Sequence, residues 1–225
     1  MQSWRRVAVL LSGCGVHDGS EILEATSLLF SLHKHKLAFD CFAPDKDSFH
    51  VINHLTGDTS SDKRNVLVES ARIARGKIKP LQSLMVSDYD GLVMPGGFGA
   101  AKNLSNYATT GSNLAVSATV EKLIKDFHAG NKPIAACCIS PILLAKVIKG
   151  VKITLGSKGE GFPYAEAIEH AKALGAEVEL KDVGEVCIDE NKKVLTTPAF
   201  MKDAENYYEV YQGNEKLIEE LSKII

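Results

Sequence analysis

The residues of this chain best suited to chemistry fall where apolar runs give way to sharp or glycine-rich turns. In ACCISP (residues 136–141) an apolar run turns into a helix that opens with Pro141. A cysteine between a strand end and a helix N-terminus is accessible, and the helix dipole favours its thiolate, so Cys138 is a candidate nucleophile. Cys137, one residue earlier, is expected to point the other way and pack as a small apolar residue. Two further segments, SGCGVHDGSE (12–21) and PGGFGAAKNL (95–104), are rich in glycine. Neither pattern of a nucleotide-phosphate loop fits the second of them. Lys102 stands where the third glycine of a GxGxxG begun at Gly97 is needed, and Ala101 stands where GxxxxGK[ST] needs glycine. The glycines then make either a tight turn or a place where backbone N–H groups approach a reacting oxygen.

These segments need elements to position them. Near-continuous apolar runs predict strands at 7–11, 38–43, up to 94, 133–137 and 151–155, with a hairpin made of 186–189 and 194–196. Helical spacing of apolar residues predicts helices at 21–33, 65–74, 116–127, 141–147, 165–174 and 205–225. Strands apolar throughout and separated by helices imply an α/β fold, a mostly parallel sheet covered on both faces. Residues 45–87 are polar with one helix, and read as an insertion between the second and third strands that covers the site or builds an interface. The expectation is one domain spanning 1–225. Ligands of such sheets bind beyond the carboxyl ends of the strands, where all three segments lie.

Composition narrows the partners. The 225 residues are 45% hydrophobic and 24% charged, as in folded proteins, and 26 basic against 28 acidic residues leave a net charge of −2. That balance gives no electrostatic footprint for nucleic acid or an anionic membrane. No apolar run approaches the roughly 18 residues of a membrane span, and 7–11 is too short for a signal-peptide core, so a cytoplasmic protein is expected. The five cysteines (Cys14, Cys41, Cys137, Cys138, Cys187) show no CxxC and no metal-ligand spacing. Neither a disulfide framework nor a metal site is expected. Cys41 and Cys187 read as core, and Cys14, between two glycines, is a candidate to line a pocket near Cys138.

The strings PGG-x-GA-x-x-NL (95–104) and IAACC-x-x-P (134–141) resemble the PfpI branch of the class I glutamine amidotransferase-like superfamily. SGCGV-x-DG-x-EI (12–22), RNVL (64–67), ARI-x-RG (71–76), GGFGAAKNL (96–104) and TTPAFM (196–201) resemble its ElbB glyoxalase subgroup, the isoprenoid-biosynthesis-like proteins. The resemblance implies a flavodoxin-like three-layer α/β/α sandwich with a nucleophile elbow at Cys138 and a glutamate from the first loop–helix junction touching the thiol. Glu21 is the expected glutamate, and Glu24, one helical turn later, is the alternative; the other is a solvated first-turn acid. Gly96 and Gly97 become the oxyanion donors, with Cys14, His17 and Ile139 as further pocket residues. Many superfamily members carry a histidine after the strand that follows the elbow; here Gly156 stands at about that place. The remaining histidines, His33, His35, His50, His54, His128 and His170, are expected to be structural.

The implied activity is a cofactor-independent glyoxalase converting a small 2-oxoaldehyde such as glyoxal to a 2-hydroxy acid, in a homodimer, without metal or nicotinamide. The alternative is a thiol-based sensing module acting through a protein partner. A glutamine amidotransferase is set aside, because the last third of the chain has no His-x-Glu.

Overall fold

The apolar run after Arg6 forms the interior strand β1 (Arg6–Leu10), four of whose five residues are buried. A computed structural model describes residues 5–203 and 206–225. β1 is flanked by β2 (Ala38–Ala43) on one side and β4 (Gly91–Met94) on the other, all parallel. Beyond β4 come β5 (Ile134–Cys137) and β9 (Val194–Thr197), also parallel; β8 (Cys187–Asp189) is antiparallel to β9, completing the expected hairpin. The opposite edge is β3 (Ile78–Pro80), parallel to β2, so the sheet order is β3-β2-β1-β4-β5-β9-β8. This mostly parallel seven-stranded sheet, with its helices, is a flavodoxin-like α/β sandwich.

The helices follow from where the strands must go next. α1 (Ile22–Lys34) leads from β1 to β2 and α2 (Val66–Ile73) from β2 to β3, whereas α5 (Ala118–Ala129) leads from β4 the other way to β5. Right-handed crossovers in opposite directions put α1 and α2 on one face of the sheet and α5 on the other. α1 buries Ala25, Leu28 and Leu32 at helical spacing, and α8 (Tyr207–Ile224) packs against it. The sheet order reverses between β1 and β4, and a ligand crevice is expected at such a switch point. Register sets the level of the loops there: Met94 pairs with Ala136, so the chain leaves β4 at Pro95 beside Cys137 and carries Gly96 up to Cys138.

Short elements complete the rim of this crevice: α3 (Phe98–Lys102), α4 (Tyr107–Thr110), α6 (Pro141–Val147) and α7 (Glu166–Ala173). β6 (Lys152–Ile153) pairs with β7 (Glu177–Val178) in a separate small sheet. Two expectations need revision. Residues 45–87 are not only an insertion, since they supply α2 and the edge strand β3. The strand expected over 151–155 is ordered as a strand only at Lys152–Ile153 and lies outside the main sheet. The final helix begins at Tyr207; its expected start at Glu205 lies outside the described residues. Among the described residues no helix is long and apolar enough to cross a membrane.

Candidate active site

Cys138 sits at the turn between β5 and α6 with φ of 58°, a strained left-handed conformation for a side chain with a Cβ and the mark of a nucleophile elbow. Its N–H donates to the Thr197 carbonyl at 3.1 Å, and the Ser140 hydroxyl donates to the Pro95 carbonyl at 2.5 Å, fixing the elbow to β9 and to the glycine turn. Pro141 at the first position of α6 supplies the preset φ that starts the helix. The backbone N–H groups of Gly97 and Ile139 bond to the Cys138 sulfur. Gly96 must be glycine: a Cβ there would lie 2.3 Å from the Cys138 Cβ and 2.6 Å from a Glu24 carboxylate oxygen.

Glu24, rather than Glu21, is the acid at the thiol. Its side chain is wholly buried, accepts from the Gly96 N–H (Oε2, 3.0 Å) and the Phe200 N–H (Oε1, 3.2 Å), and hydrogen-bonds the Cys138 side chain. Glu21 is instead the N-cap of α1. Its extended backbone (ψ 127°) lets the carboxylate fold back and accept from the Glu24 N–H at 2.6 Å, which satisfies an otherwise unpaired donor of the first turn. It lines the outer cavity, while Glu24 occupies the inner face of α1. The oxyanion expectation shifts likewise. The Gly96 N–H is taken by Glu24, so the donors left facing the sulfur are Gly97 and Ile139.

Burial, then the charge of Glu21, pushes the Glu24 carboxyl up to about 8, against the pull of its backbone donors. Burial and the neighbouring Glu24 push the Cys138 thiol up as well, and the Gly97 and Ile139 amides oppose that. Both groups therefore hold their protons at neutral pH, and in the fraction in which Glu24 is ionised the carboxylate and the thiol, this close and out of water, form a donor–acceptor pair for one proton. Cys137 is buried, as expected, and its thiol also lies against the carboxyl, its sulfur 3.8 Å from Glu24 Oε2.

Other site residues move off the cavity. Cys14 is half-buried, and of the charges that act on it the largest effects come from Arg72 and Glu69 of α2. His17 is exposed, its ring 4.8 Å from that of His54 and tilted to it, and the His54 Nε2 accepts from the His17 N–H. Neither lines the space in front of Cys138. The place a histidine would take at residue 156 is filled. Gly156 has φ of +90°, and a Cβ there would meet the Phe162 ring at 3.0 Å and the Met201 Cβ at 3.3 Å.

The cavity in front of Cys138 measures about 660 Å³. Its walls come from segments that no local pattern links: Phe98 on α3, Tyr107 on α4, Tyr164 before α7, His170 on α7, Phe200 after β9 and Tyr207 at the start of α8. His170, expected to be structural, is part of this wall, with its Nδ1 2.9 Å from the Tyr107 hydroxyl. Phe98 and Phe200 had a sequence signal, the GGFGAAKNL and TTPAFM strings; the others had none. Asn103 ties the rim together: its amide donates to the Ser12 and Asp18 carbonyls at 2.8 and 3.0 Å and accepts from the Phe49 N–H at 2.9 Å. Among the described residues no cluster of three or more side chains could hold a metal ion.

Comparison with known proteins agrees with this geometry. The sequence model of the DJ-1/PfpI family matches residues 68–207. The chain is 47% identical over 223 residues to "ES1 protein homolog, mitochondrial" of Rattus norvegicus, covering 97% of this chain and 84% of that protein. Among solved structures it is similar to an isoprenoid biosynthesis protein with amidotransferase-like domain from Ehrlichia chaffeensis, with 32% identity, a TM-score of 0.88, and 98% and 100% of the two chains covered. It shares its fold with glyoxalase III of Candida albicans, at 15% identity and a TM-score of 0.62 over 98% and 97% of the chains.

Proposed function

The chain belongs to the DJ-1/PfpI family, and from that premise we propose that it is a cofactor-independent glyoxalase of the ElbB type, with Cys138 as nucleophile and Glu24 as proton carrier. One observation carries the reading: a buried carboxyl bonded to the reactive-position thiol, at the floor of a cavity open to a small molecule. The thiol adds to the aldehyde carbon of a 2-oxoaldehyde as its proton passes to the ionised form of Glu24, which returns it to the new alkoxide, giving a hemithioacetal and a carboxylate free to act as base. The new oxygen is held by the Gly97 and Ile139 N–H groups, the role of an oxyanion hole. Glu24 then moves the proton from the former aldehyde carbon to the neighbouring carbon through an enediol, leaving a 2-hydroxyacyl thioester. Water releases the 2-hydroxy acid and restores the thiol, so the net change is addition of one water to the 2-oxoaldehyde.

The relation to glyoxalase III supports the scaffold, and the relation to the isoprenoid biosynthesis protein supports the subgroup. Glyoxal turnover to glycolate by the wild type and by Cys138→Ala and Glu24→Gln tests it. Both variants are expected to lose about 10²-fold or more in kcat; a Cys138→Ala variant with wild-type turnover overturns the reading.

A second reading rests on the burial of Cys138, which is 8% exposed, and on the filled histidine position. These suit a slow thiol sensor that is modified once per chain. Many turnovers per chain exclude it, whereas a single equivalent consumed with a mass change at Cys138 selects it.

A further inference from the structure

A glyoxal molecule has four heavy atoms and needs roughly 60 Å³, about two waters' share of liquid volume. The cavity above Cys138 is about 660 Å³, within the range of pockets that enclose much larger ligands. Its walls are aromatic, and the rings stand edge-to-face in pairs. Phe98 and Tyr164 lie 6.0 Å apart, Tyr107 and His170 5.7 Å, and Phe200 and Tyr207 5.6 Å, all close to perpendicular. Rings fixed in this way present a preorganised apolar surface that a planar group can enter without reordering side chains.

The charges at the cavity select the ligand further. Glu21, Glu166 and Asp203 line it against a single lysine, Lys202, whose ammonium is paired with Asp182 at 2.7 Å. A bound carboxylate or phosphate would face like charges with that cation already engaged, a repulsive arrangement that selects against such ligands.

We propose that the substrate of this site is a neutral aryl 2-oxoaldehyde, whose ring fills the aromatic cavity while its aldehyde reaches Cys138, and that carboxylate-bearing analogues are excluded. The proposal rests on the glyoxalase reading for its chemistry and on the cavity alone for its specificity. For phenylglyoxal, the smallest such compound, the reaction adds one water to give mandelic acid: the aldehyde carbon is oxidised to a carboxyl and the ketone carbon is reduced to a secondary alcohol, so no external oxidant or reductant takes part. Its ten heavy atoms occupy roughly 150 Å³ on the same basis, which the cavity accommodates with room to spare.

The test has a kinetic and a non-catalytic arm. Kinetically, kcat/KM for phenylglyoxal should exceed that for glyoxal by about tenfold or more, the scale on which apolar pocket contacts discriminate. Ala108→Trp, which crowds the cavity at α4, should lower the ratio of the two values by a similar factor. Without catalysis, acetophenone should slow alkylation of Cys138 by iodoacetamide, and benzoylformate at the same concentration should not. Glyoxal preferred over phenylglyoxal overturns the substrate class and leaves the glyoxalase reading standing. No turnover of either aldehyde, with shielding by acetophenone alone, overturns the glyoxalase reading and leaves the cavity specificity standing. Equal shielding by both compounds, or by neither, overturns the proposal.

Discussion

Replacing Glu24 by glutamine should change the pH dependence of stability, whatever reaction the site performs. The carboxyl is wholly buried and is pushed from an ordinary value of 4.5 up to about 8, burial being the largest cause. Above 4.5 the unfolded chain loses this proton while the folded chain keeps it until about 8. Stability is therefore full below the unfolded value and falls as pH rises through that window, because the native state binds more protons than the unfolded one. At about 1.4 kcal/mol per unit, the full shift is worth at most roughly 5 kcal/mol. Glutamine does not titrate, so the variant lacks this slope. It also turns an NH₂ toward one of the two N–H groups that Glu24 accepts from, Gly96 or Phe200, which costs about 1–3 kcal/mol at every pH. Glu24→Gln should thus be less stable than wild type near pH 5 and equal to it or more stable near pH 8. Urea unfolding at about pH 5, 6.5 and 8, with unchanged m-values, measures the difference. A stability gap that is the same at all three pH values would refute the buried, proton-holding carboxyl.

Other perturbations probe the geometry around it. Gly96→Ala should abolish turnover and alkylation at Cys138 and lower stability by several kcal/mol, since its Cβ would stand 2.3 Å from that of Cys138; calorimetry and intact-mass labelling check both. Asn103→Ala should cost about 2–4 kcal/mol, because it unties three backbone partners in two loops at once, and should raise hydrogen exchange at the Phe49 amide. Cys14→Ser should leave labelling and turnover at Cys138 unchanged, as its side chain lies toward α2 and outside the cavity. Alkylation of wild-type Cys138 should be slow at neutral pH and accelerate only at a pH higher than for an ordinary thiol, and Glu24→Gln should move that rise to lower pH, since Glu24 raises the thiol.

The long elements were legible because each buries one face. The patterns at 7–11, 38–43 and 65–74 come within about a residue of β1, β2 and α2. β3 and β7 were not, since runs of three and two residues carry no period and are held by their neighbours in the sheet. The elbow was legible from ACC-x-x-P, as strand, turn and helix N-terminus follow each other directly. The acid was the instructive miss. Glu24 stands one turn before Leu28 and two before Leu32, both fully buried, so it is a carboxylate on the buried stripe of α1. Reading that stripe back toward the helix start points to Glu24, whereas proximity to the loop points to Glu21. The aromatic cavity had no comparable signal, because Phe98, Tyr164 and Tyr207 meet only through the fold.

The filled histidine position gives the site its proton logic. In a Cys-His pair the imidazole accepts the thiol proton and the ion pair keeps the thiolate ready. Here Phe162 and Met201 take the space beside Gly156, and Glu24 is the acid bonded to the thiol. A carboxylate cannot make an ion pair with a thiolate; it can only trade one proton with it. Nucleophilicity is then coupled to proton delivery. A thiol that adds to a carbonyl hands its proton to Glu24 and so leaves a neutral acid beside the new hemithioacetal. Such an acid is placed to give that proton to the new oxygen and then, as a carboxylate, to take a proton from one carbon and return it to the next, which isomerisation of a 2-oxoaldehyde requires and simple thioester hydrolysis does not. The same coupling keeps the resting thiol protonated, so the pair that suits this isomerisation also protects Cys138 from indiscriminate oxidation.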